Sequence, residues 1–262
     1  MPLTGDADMG KFLYKNDAIV TVMVQSDEPD GIKALMDKAA PSGAEAFGVQ
    51  TETLSPEFKT EKILRELLSY KSVPTYVTNY RYGTNAGKSD EALADELVAL
   101  AEYGAELIDV PGDLYNPTKG ELSADKESIN LQMKLIERIH SAGAEVLISS
   151  HISKFTPAER VLEVAKAHKS RGADISKIVT GAANMAEQIE NLRIVNLLKE
   201  RLGLPFLFLS VGECSILRRV GGEIGCSMYL CVAEHDKFAT PAQPLLADIL
   251  AVRRAMKGSD TK

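Results

Sequence analysis

One lysine stands where a charged side chain is unexpected. Lys177 lies inside the apolar run Ile175–Gly181 (ISKIVTG), which has the length and composition of a buried β-strand. Burial disfavours the ammonium form of a lysine, and a neutral amine attacks ketones and aldehydes to form a Schiff base. Lys177 is therefore a candidate for imine chemistry. The alternative is a salt-bridged structural lysine at the bottom of the strand, because strand alternation does not fix the position of the side chain along the strand axis.

A histidine closes another apolar run of the same kind. His151 is the last residue of Ala144–His151 (AEVLISSH), and a histidine beside an imine-forming lysine can carry the protons that the reaction moves. His140 and His168 fall in helical segments, and we expect both at the surface. No set of His, Cys, Asp and Glu has the spacing of metal ligands, so no metal is predicted.

Arginines and one glutamine are candidates for holding an anionic substrate. Arg81 closes the third apolar run, and Arg218 and Arg219 follow the seventh. A guanidinium pairs with a carboxylate through two parallel hydrogen bonds, so one arginine of the adjacent pair is expected over the site and the other in solvent. Gln243 ends a turn after the eighth run and is placed to be a polar residue of a lid.

Eight short apolar runs alternate with longer amphipathic segments, and their starts are roughly 30 residues apart, the length of a strand–helix unit. The predicted strands are Ala18–Val24, Ala44–Thr51, Pro74–Arg81, Ala105–Val110, Ala144–His151, Ile175–Gly181, Pro205–Val211 and Met228–Glu234. A glycine precedes four of these strands, at positions 43, 104, 143 and 172, which is typical of the loop between a helix and the following strand.

This pattern predicts an α/β fold, a (β/α)₈ TIM barrel formed as a single domain over residues 1–262. An open doubly wound sheet is the alternative. That fold usually has a glycine-rich phosphate turn after its first strand, where this chain has Gln25–Asp30 (QSDEPD). The first seventeen residues are expected to form a short hairpin that closes the bottom of the barrel. In such a barrel the chemistry takes place at the carboxyl ends of the strands.

Composition excludes several other classes. The 262 residues are 45% hydrophobic and carry a net charge of −7, which argues against a disordered chain and against nucleic acid as a partner. No apolar stretch has the length of a membrane span, and no export signal is visible. Three cysteines with no metal-ligand spacing fit a reducing cytoplasm. We expect Arg81, Arg219 and Lys177 to make the pocket locally cationic despite the acidic total.

Four segments together resemble the type I 3-dehydroquinate dehydratase family, and their order and spacing agree with it. They are SSHISKFTP (149–157), GADISKIV (172–179), SILRRVGGEIGCSM (215–228) and ATPAQ (239–243). The resemblance implies a class I aldolase-like barrel of the shikimate pathway, which serves aromatic amino acid biosynthesis. It implies a lyase that dehydrates 3-dehydroquinate to 3-dehydroshikimate without a cofactor. The resemblance also implies a homodimer, as is usual in this family.

The resemblance implies a role for each candidate residue. Lys177 matches the Schiff-base lysine, and His151 matches the general acid/base. Arg219 matches the arginine that holds the substrate carboxylate, while Arg81 and Gln243 match further substrate-binding positions. The partner implied is a small anionic keto acid.

The chain departs from the family pattern at four positions. Gly48 and Gln50 stand where the family has a glutamate and an arginine that contact substrate hydroxyls, and Ala239 replaces a lid serine. Asn85 stands where the family has the glutamate that orients the histidine, so Asn85→Glu is expected to raise turnover of dehydroquinate. These departures leave open a paralogous Schiff-base lyase or aldolase for a different small keto acid. A non-catalytic barrel is disfavoured, because an interior lysine without a function costs stability.

Overall fold

The computed structural model describes Phe12 and residues 17–257. Eight parallel strands form one sheet in the order β7-β6-β5-β4-β3-β2-β1-β8. They are β1 (Ile19–Val24), β2 (Ala46–Gln50), β3 (Thr75–Thr78), β4 (Leu107–Pro111), β5 (Glu145–His151), β6 (Ile175–Gly181), β7 (Phe206–Val211) and β8 (Met228–Val232). The Ser227 amide donates to the Phe206 carbonyl at 2.8 Å and brings the edge strands β7 and β8 together. The predicted TIM barrel is thus confirmed as a nearly closed barrel.

One helix follows each strand and covers the outside of the barrel. The helices are α1 (Pro29–Ala39), α2 (Glu61–Leu68), α3 (Asp90–Glu102), α4 (Lys126–Ser141), α5 (Ala158–Ser170), α6 (Met185–Arg201), α7 (Leu217–Ile224) and α8 (Leu246–Lys257). None of the helices in the described part of the chain is long and apolar enough to cross a membrane.

The strands are apolar on both faces because each is buried twice. In β1, Val20, Val22 and Val24 pack in one apolar cluster with the covering helices, whereas Ile19 and Met23, on the other face, belong to a second apolar cluster. An inward polar side chain in such a strand has no solvent to reach at mid-height, so it must find a partner within the barrel.

The four glycines that precede strands lie in the helix-to-strand loops as expected. Gly43, Gly104, Gly143 and Gly172 have φ of 103°, 111°, 90° and 98°. This left-handed backbone is disfavoured for residues with a Cβ atom, so the repeated glycine follows from the geometry of the turn.

Two local expectations are wrong, and one lies outside the described residues. β3 ends at Thr78, three residues before the predicted end at Arg81. His168 is fully buried in α5 rather than exposed, with its ring between the hydroxyls of Ser150 and Ser176. The predicted N-terminal hairpin falls on residues that the structure largely does not describe.

Candidate active site

Lys177 ends in a cluster of polar groups inside the barrel. Its Nζ lies 2.9 Å from Asp109 Oδ2 on β4, 3.0 Å from the Tyr76 hydroxyl and 2.8 Å from the Tyr80 hydroxyl. Both tyrosines donate to the same Asp109 Oδ2, and Ser149 donates to Oδ1 at 2.5 Å. The two alternatives for Lys177 are therefore both realised in part, since it is ion-paired and also faces a cavity.

Burial and charge act in opposite directions on this cluster. Burial alone would raise the pKa of Asp109, but the Lys177 ammonium and the hydroxyl donors hold it below its ordinary value. Burial, reinforced by the Asp109 charge, raises the pKa of Tyr76 and Tyr80 well above the ordinary value. Both phenols are therefore neutral hydrogen-bond donors beside the amine.

His151 is held by a glutamate from the loop between β4 and α4. Glu121 Oε2 lies 2.6 Å from His151 Nδ1 and also accepts the His151 amide at 3.0 Å. Because a carboxylate only accepts, Nδ1 carries a proton and Nε2 is left for other partners. The His151 ring meets the Tyr80 ring edge-on, with centroids 5.5 Å apart.

The backbone that presents Glu121 is unusual. Glu121 has φ of 51°, in the left-handed region, and its carbonyl accepts the Ser150 hydroxyl at 2.6 Å. A Cβ at Gly112 would lie 2.5 Å from that carbonyl, so the loop packs closely against the strand below it. The surroundings thus hold Glu121 in a conformation that residues other than glycine adopt rarely.

A cavity of about 320 Å³ brings most of the expected residues together. Lys177, His151 and Gln243 line it, and so does Arg218. Arg218 is 6% exposed and donates from Nε to the Ser210 carbonyl at 2.9 Å. Burial lowers the pKa of Arg218 to about 10, so it is still charged at neutral pH.

Of the two adjacent arginines, Arg218 lines the cavity rather than Arg219, which the sequence favoured. Arg219 is exposed and does not line the cavity, because α7 turns its side chain outward while Arg218 faces inward. Consecutive residues of a helix point about 100° apart, so both cannot face the same side.

Arg81 is also placed away from the lysine. It pairs with Asp90 at 2.6 Å and Asp113 at 2.7 Å and lines an adjoining cavity of about 400 Å³ that also reaches His151. Burial opposes its charge, but the hydrogen bonds to these two carboxylates raise the pKa of Arg81. Inward positions on this strand are taken by Tyr76 and Thr78, and the alternation continues to Tyr80 rather than to Arg81.

Comparison with known proteins decides the family. A sequence model of the family described as type I 3-dehydroquinase matches residues 20–260. The chain belongs to this family. Family membership makes it a hydro-lyase of the 3-dehydroquinate dehydratase class and confirms the resemblance seen in the sequence.

Individual relatives agree with this assignment. A 3-dehydroquinate dehydratase of Methanosarcina acetivorans is 28% identical over 255 residues, which covers 94% of this chain and 97% of that protein. The solved 3-dehydroquinate dehydratase of Geobacillus kaustophilus superposes with a TM-score of 0.78 at 13% identity, covering 94% and 93% of the two chains. The Clostridium difficile type I enzyme, solved with covalently modified comenic acid, gives 0.74 at 17% identity over 91% and 92%. At these identities the structures establish the shared fold.

The departures from the type I 3-dehydroquinase pattern reshape one wall of the cavity. A Cβ at Gly48 would lie 2.2 Å from Met23 Sδ, so Met23 fills the space of the missing side chain. Gln50 lines the cavity and donates to Glu52 at 3.0 Å, while its Oε1 has no partner among the described residues. Burial raises the pKa of Glu52, which lies beneath this wall.

Asn85 does not take the place expected for it. It is fully buried, donates to Asn79 Oδ1 at 2.7 Å and the Tyr80 carbonyl at 2.9 Å, and accepts from Lys59 at 2.7 Å. None of these contacts reaches His151. In this member of the family the carboxylate beside the histidine is Glu121, from a different loop.

The sequence contained a signal for only some of the residues that it missed. Asp109 interrupts the apolar run at β4 as Lys177 interrupts that at β6, and two opposite charges in inward positions indicate a pair. Glu121 stands in an irregular loop with no periodicity. Within Phe12 and residues 17–257, no three His, Cys, Asp or Glu side chains are grouped so as to hold a metal ion.

Proposed function

We propose that Lys177 forms the imine through which this hydro-lyase removes water from 3-dehydroquinate to give 3-dehydroshikimate. The observation that carries the proposal is the position of Lys177 Nζ at the wall of a cavity that His151 and Arg218 also line. The iminium withdraws electrons from the adjacent carbon, so it supplies the electron sink that the elimination needs.

His151 is the proposed acid and base of the elimination. Its Nδ1 is engaged by Glu121, which leaves Nε2 to accept a proton from the carbon next to the iminium. The same nitrogen then returns that proton to the leaving hydroxyl. The carboxylate of Glu121 stabilises the imidazolium that exists between the two steps, so His151 carries the proton of the elimination and Glu121 balances its charge.

Arg218 is the proposed anchor of the substrate carboxylate, in place of Arg219. It is the arginine that lines the cavity, and its Nη groups make no hydrogen bond among the described residues. Gln243 is a second proposed contact. Within the part of the chain that the structure describes, its Oε1 is buried without a partner, as is that of Gln50, so a ligand with hydroxyl donors would satisfy both acceptors. Arg81 is proposed to shape the adjoining cavity near His151, with its charge already matched by Asp90 and Asp113.

Reductive trapping tests the proposal. The protein is incubated with 3-dehydroquinate, with and without borohydride, and the adduct is mapped by mass spectrometry while absorbance of the conjugated product is followed. We expect a reduced adduct on Lys177 and product in the untreated sample, with Lys177→Met as the variant that gives neither. Turnover that persists in Lys177→Met would refute the imine mechanism.

A different small keto acid is a second candidate substrate, and the cavity wall supports it. Met23 fills the space over Gly48, and Gln50 offers a neutral amide where family members have an arginine. This wall therefore lacks both of the charged groups that the family pattern places there. Trapping on Lys177 with other keto acids, without turnover of 3-dehydroquinate, would favour this candidate.

We further propose that the enzyme acts in the cytoplasm as a homodimer. Its three cysteines are all free, which suits a reducing compartment. Met185, Ile189 and Ile216 are exposed large apolar side chains near the starts of α6 and α7, and a partner subunit would cover them. Light scattering tests this assembly, and a monomer at micromolar concentration would contradict it.

A further inference from the structure

The hydroxyl of Tyr80 lies between the amine that must react and the carboxylate that holds its proton. Tyr80 accepts from Lys177 Nζ at 2.8 Å and donates to Asp109 Oδ2 at 2.5 Å. The three groups thus form a continuous hydrogen-bonded chain, Lys177 to Tyr80 to Asp109. The imine mechanism alone leaves this chain unexplained.

Lys177 needs such a chain because its ion pair opposes attack. An ammonium has no lone pair, and the Lys177 Nζ is ion-paired with the buried Asp109 carboxylate at 2.9 Å. Asp109 is fully buried and does not line the cavity, whereas Tyr80 is partly exposed and does. A proton that reaches Asp109 can therefore return to a bound substrate only through a neighbouring group that faces the cavity.

Resting on the proposed imine function, we propose that Tyr80 is a catalytic residue that relays protons between Lys177, Asp109 and the oxygen of the substrate ketone. In the first step, Lys177 passes one ammonium proton to the Tyr80 oxygen as Tyr80 passes its own proton to Asp109. The neutral amine then forms the N–C bond, and the C=O π electrons move to oxygen.

The same chain returns the proton when the C–O bond breaks. The ketone oxygen of the addition intermediate gains one proton from the attacking nitrogen and one from Asp109 through Tyr80, and it leaves as water. An ammonium and a ketone are thereby converted into an iminium and water, with no net exchange of protons with solvent. Asp109 ends as a carboxylate beside the new cation, so the buried charges stay matched.

Tyr80 suits a relay because it need never hold a charge. Its raised pKa disfavours a phenolate, but a hydroxyl that takes up one proton as it gives up another stays neutral throughout. Its ring lies edge-on against the ring of His151. The proposed relay for imine formation is therefore in contact with the proposed base of the elimination. Tyr76 lines the same cavity and has the same two partners, but it is 0% exposed and makes no contact with His151 among the described ring pairs.

A matched pair of variants tests the relay. Tyr80→Phe and Tyr76→Phe each remove one hydroxyl near Lys177 Nζ and keep the ring. Imine formation is timed by rapid mixing with a keto acid, quenching into borohydride and mass spectrometry of Lys177. We use 3-dehydroquinate and, separately, pyruvate, since imine formation with pyruvate requires no dehydration.

We expect Tyr80→Phe to slow imine formation by roughly 100-fold and Tyr76→Phe by less than tenfold, because positioned acid–base groups typically contribute about 10²- to 10⁴-fold. The subsequent loss of the α-proton, counted per imine formed, should change little in Tyr80→Phe. Equal slowing in both variants, or a parental rate in Tyr80→Phe, would overturn the relay. Normal trapping of pyruvate without turnover of 3-dehydroquinate would count against the proposed substrate and leave the relay standing.

A measurement on the unaltered protein guards against misfolded variants. The rate of imine formation is measured in mixtures of H₂O and D₂O. Two protons moving together give a curved dependence on the deuterium fraction, which the relay requires. A linear dependence would mean that one proton moves and would contradict it.

Discussion

Asp109 and Lys177 form an ion pair inside the barrel, with Oδ2 and Nζ 2.9 Å apart and side chains 0% and 5% exposed. Asp109→Asn would leave the ammonium buried without a counter-charge. We expect the free energy of unfolding to fall by about 3–5 kcal/mol, measured by urea denaturation at pH 7.

The double variant Asp109→Asn with Lys177→Met is the control, because it removes both charges together. It should regain most of the lost stability. A single variant as stable as the parent would mean that the pair is not desolvated in solution.

The two adjacent arginines provide a second prediction. Arg218→Met should raise KM for 3-dehydroquinate by roughly 10- to 100-fold, since hydrogen bonds to a charged group contribute about 1.5–3 kcal/mol. Arg219→Met is the matched control on the exposed side of α7 and should leave KM near the parental value. Steady-state kinetics at saturating and limiting substrate distinguish the two. A large effect at Arg219 alone would restore the interpretation based on the sequence.

Glu121 is expected to act through His151. Glu121→Gln keeps the size of the side chain but removes the negative charge beside Nδ1, so kcat should fall at least tenfold while KM changes little. Glu127→Gln makes the same substitution on the exposed first turn of α4 and should be silent. A kcat–pH profile completes the measurement, because a purely structural defect would lower kcat without altering its shape.

Asn85→Glu, which the sequence suggested as a gain of function, should instead be harmful. A glutamate there loses the amide donors to Asn79 and the Tyr80 carbonyl, and it brings a carboxylate close to both oxygens. We expect a loss of about 1–3 kcal/mol in unfolding free energy and no rise in turnover. Faster turnover of 3-dehydroquinate would show that this position does reach the histidine.

Stability should fall on the acid side of neutrality because of His168. Burial lowers its pKa to about 3, below the ordinary value of 6.5, so the unfolded chain takes up the proton first. The stability that the neutral His168 contributes is fully present above pH 6.5 and is lost as the pH falls toward 3. By pH 5 the free energy of unfolding should have fallen by about 2 kcal/mol on this account.

Urea midpoints of the parent and of His168→Gln, compared at pH 7 and pH 5, check this dependence. His168→Gln should flatten it. His140→Gln is the control, because the pKa of the half-exposed His140 is raised by Asp174 and its effect has the opposite sign. An unchanged acid slope in His168→Gln would contradict the assignment.

Much of the fold could be predicted because each strand is buried on both faces, so its sequence is a continuous apolar run. Lys177 and His151 could be selected as candidates for the same reason, as polar residues in otherwise apolar strands, and both line the cavity. The errors at the two substrate-binding arginines are offsets of one residue. By strand alternation Arg81 shares the face of Val77, which packs under the helices, whereas the inward series runs through Tyr76 to Tyr80.

The offset at the arginine pair has a related cause. A motif fixes the spacing of residues along the chain. The rotation of α7 about its own axis decides whether Arg218 or Arg219 faces the cavity, and the motif does not contain it. Glu121 could not be found at all, because its position depends on a left-handed residue in a loop and on close packing against β5. Single domain organisation over residues 1–262 stays a prediction.

The cavity wall offers one cation that has no carboxylate partner among the described residues. It is Arg218, because Lys177, the other charged side chain of that wall, is paired with Asp109. One guanidinium can match one ligand carboxylate. We therefore expect a dicarboxylate of similar size to bind more weakly than a monocarboxylate, because its second negative charge would meet no unpaired cation there.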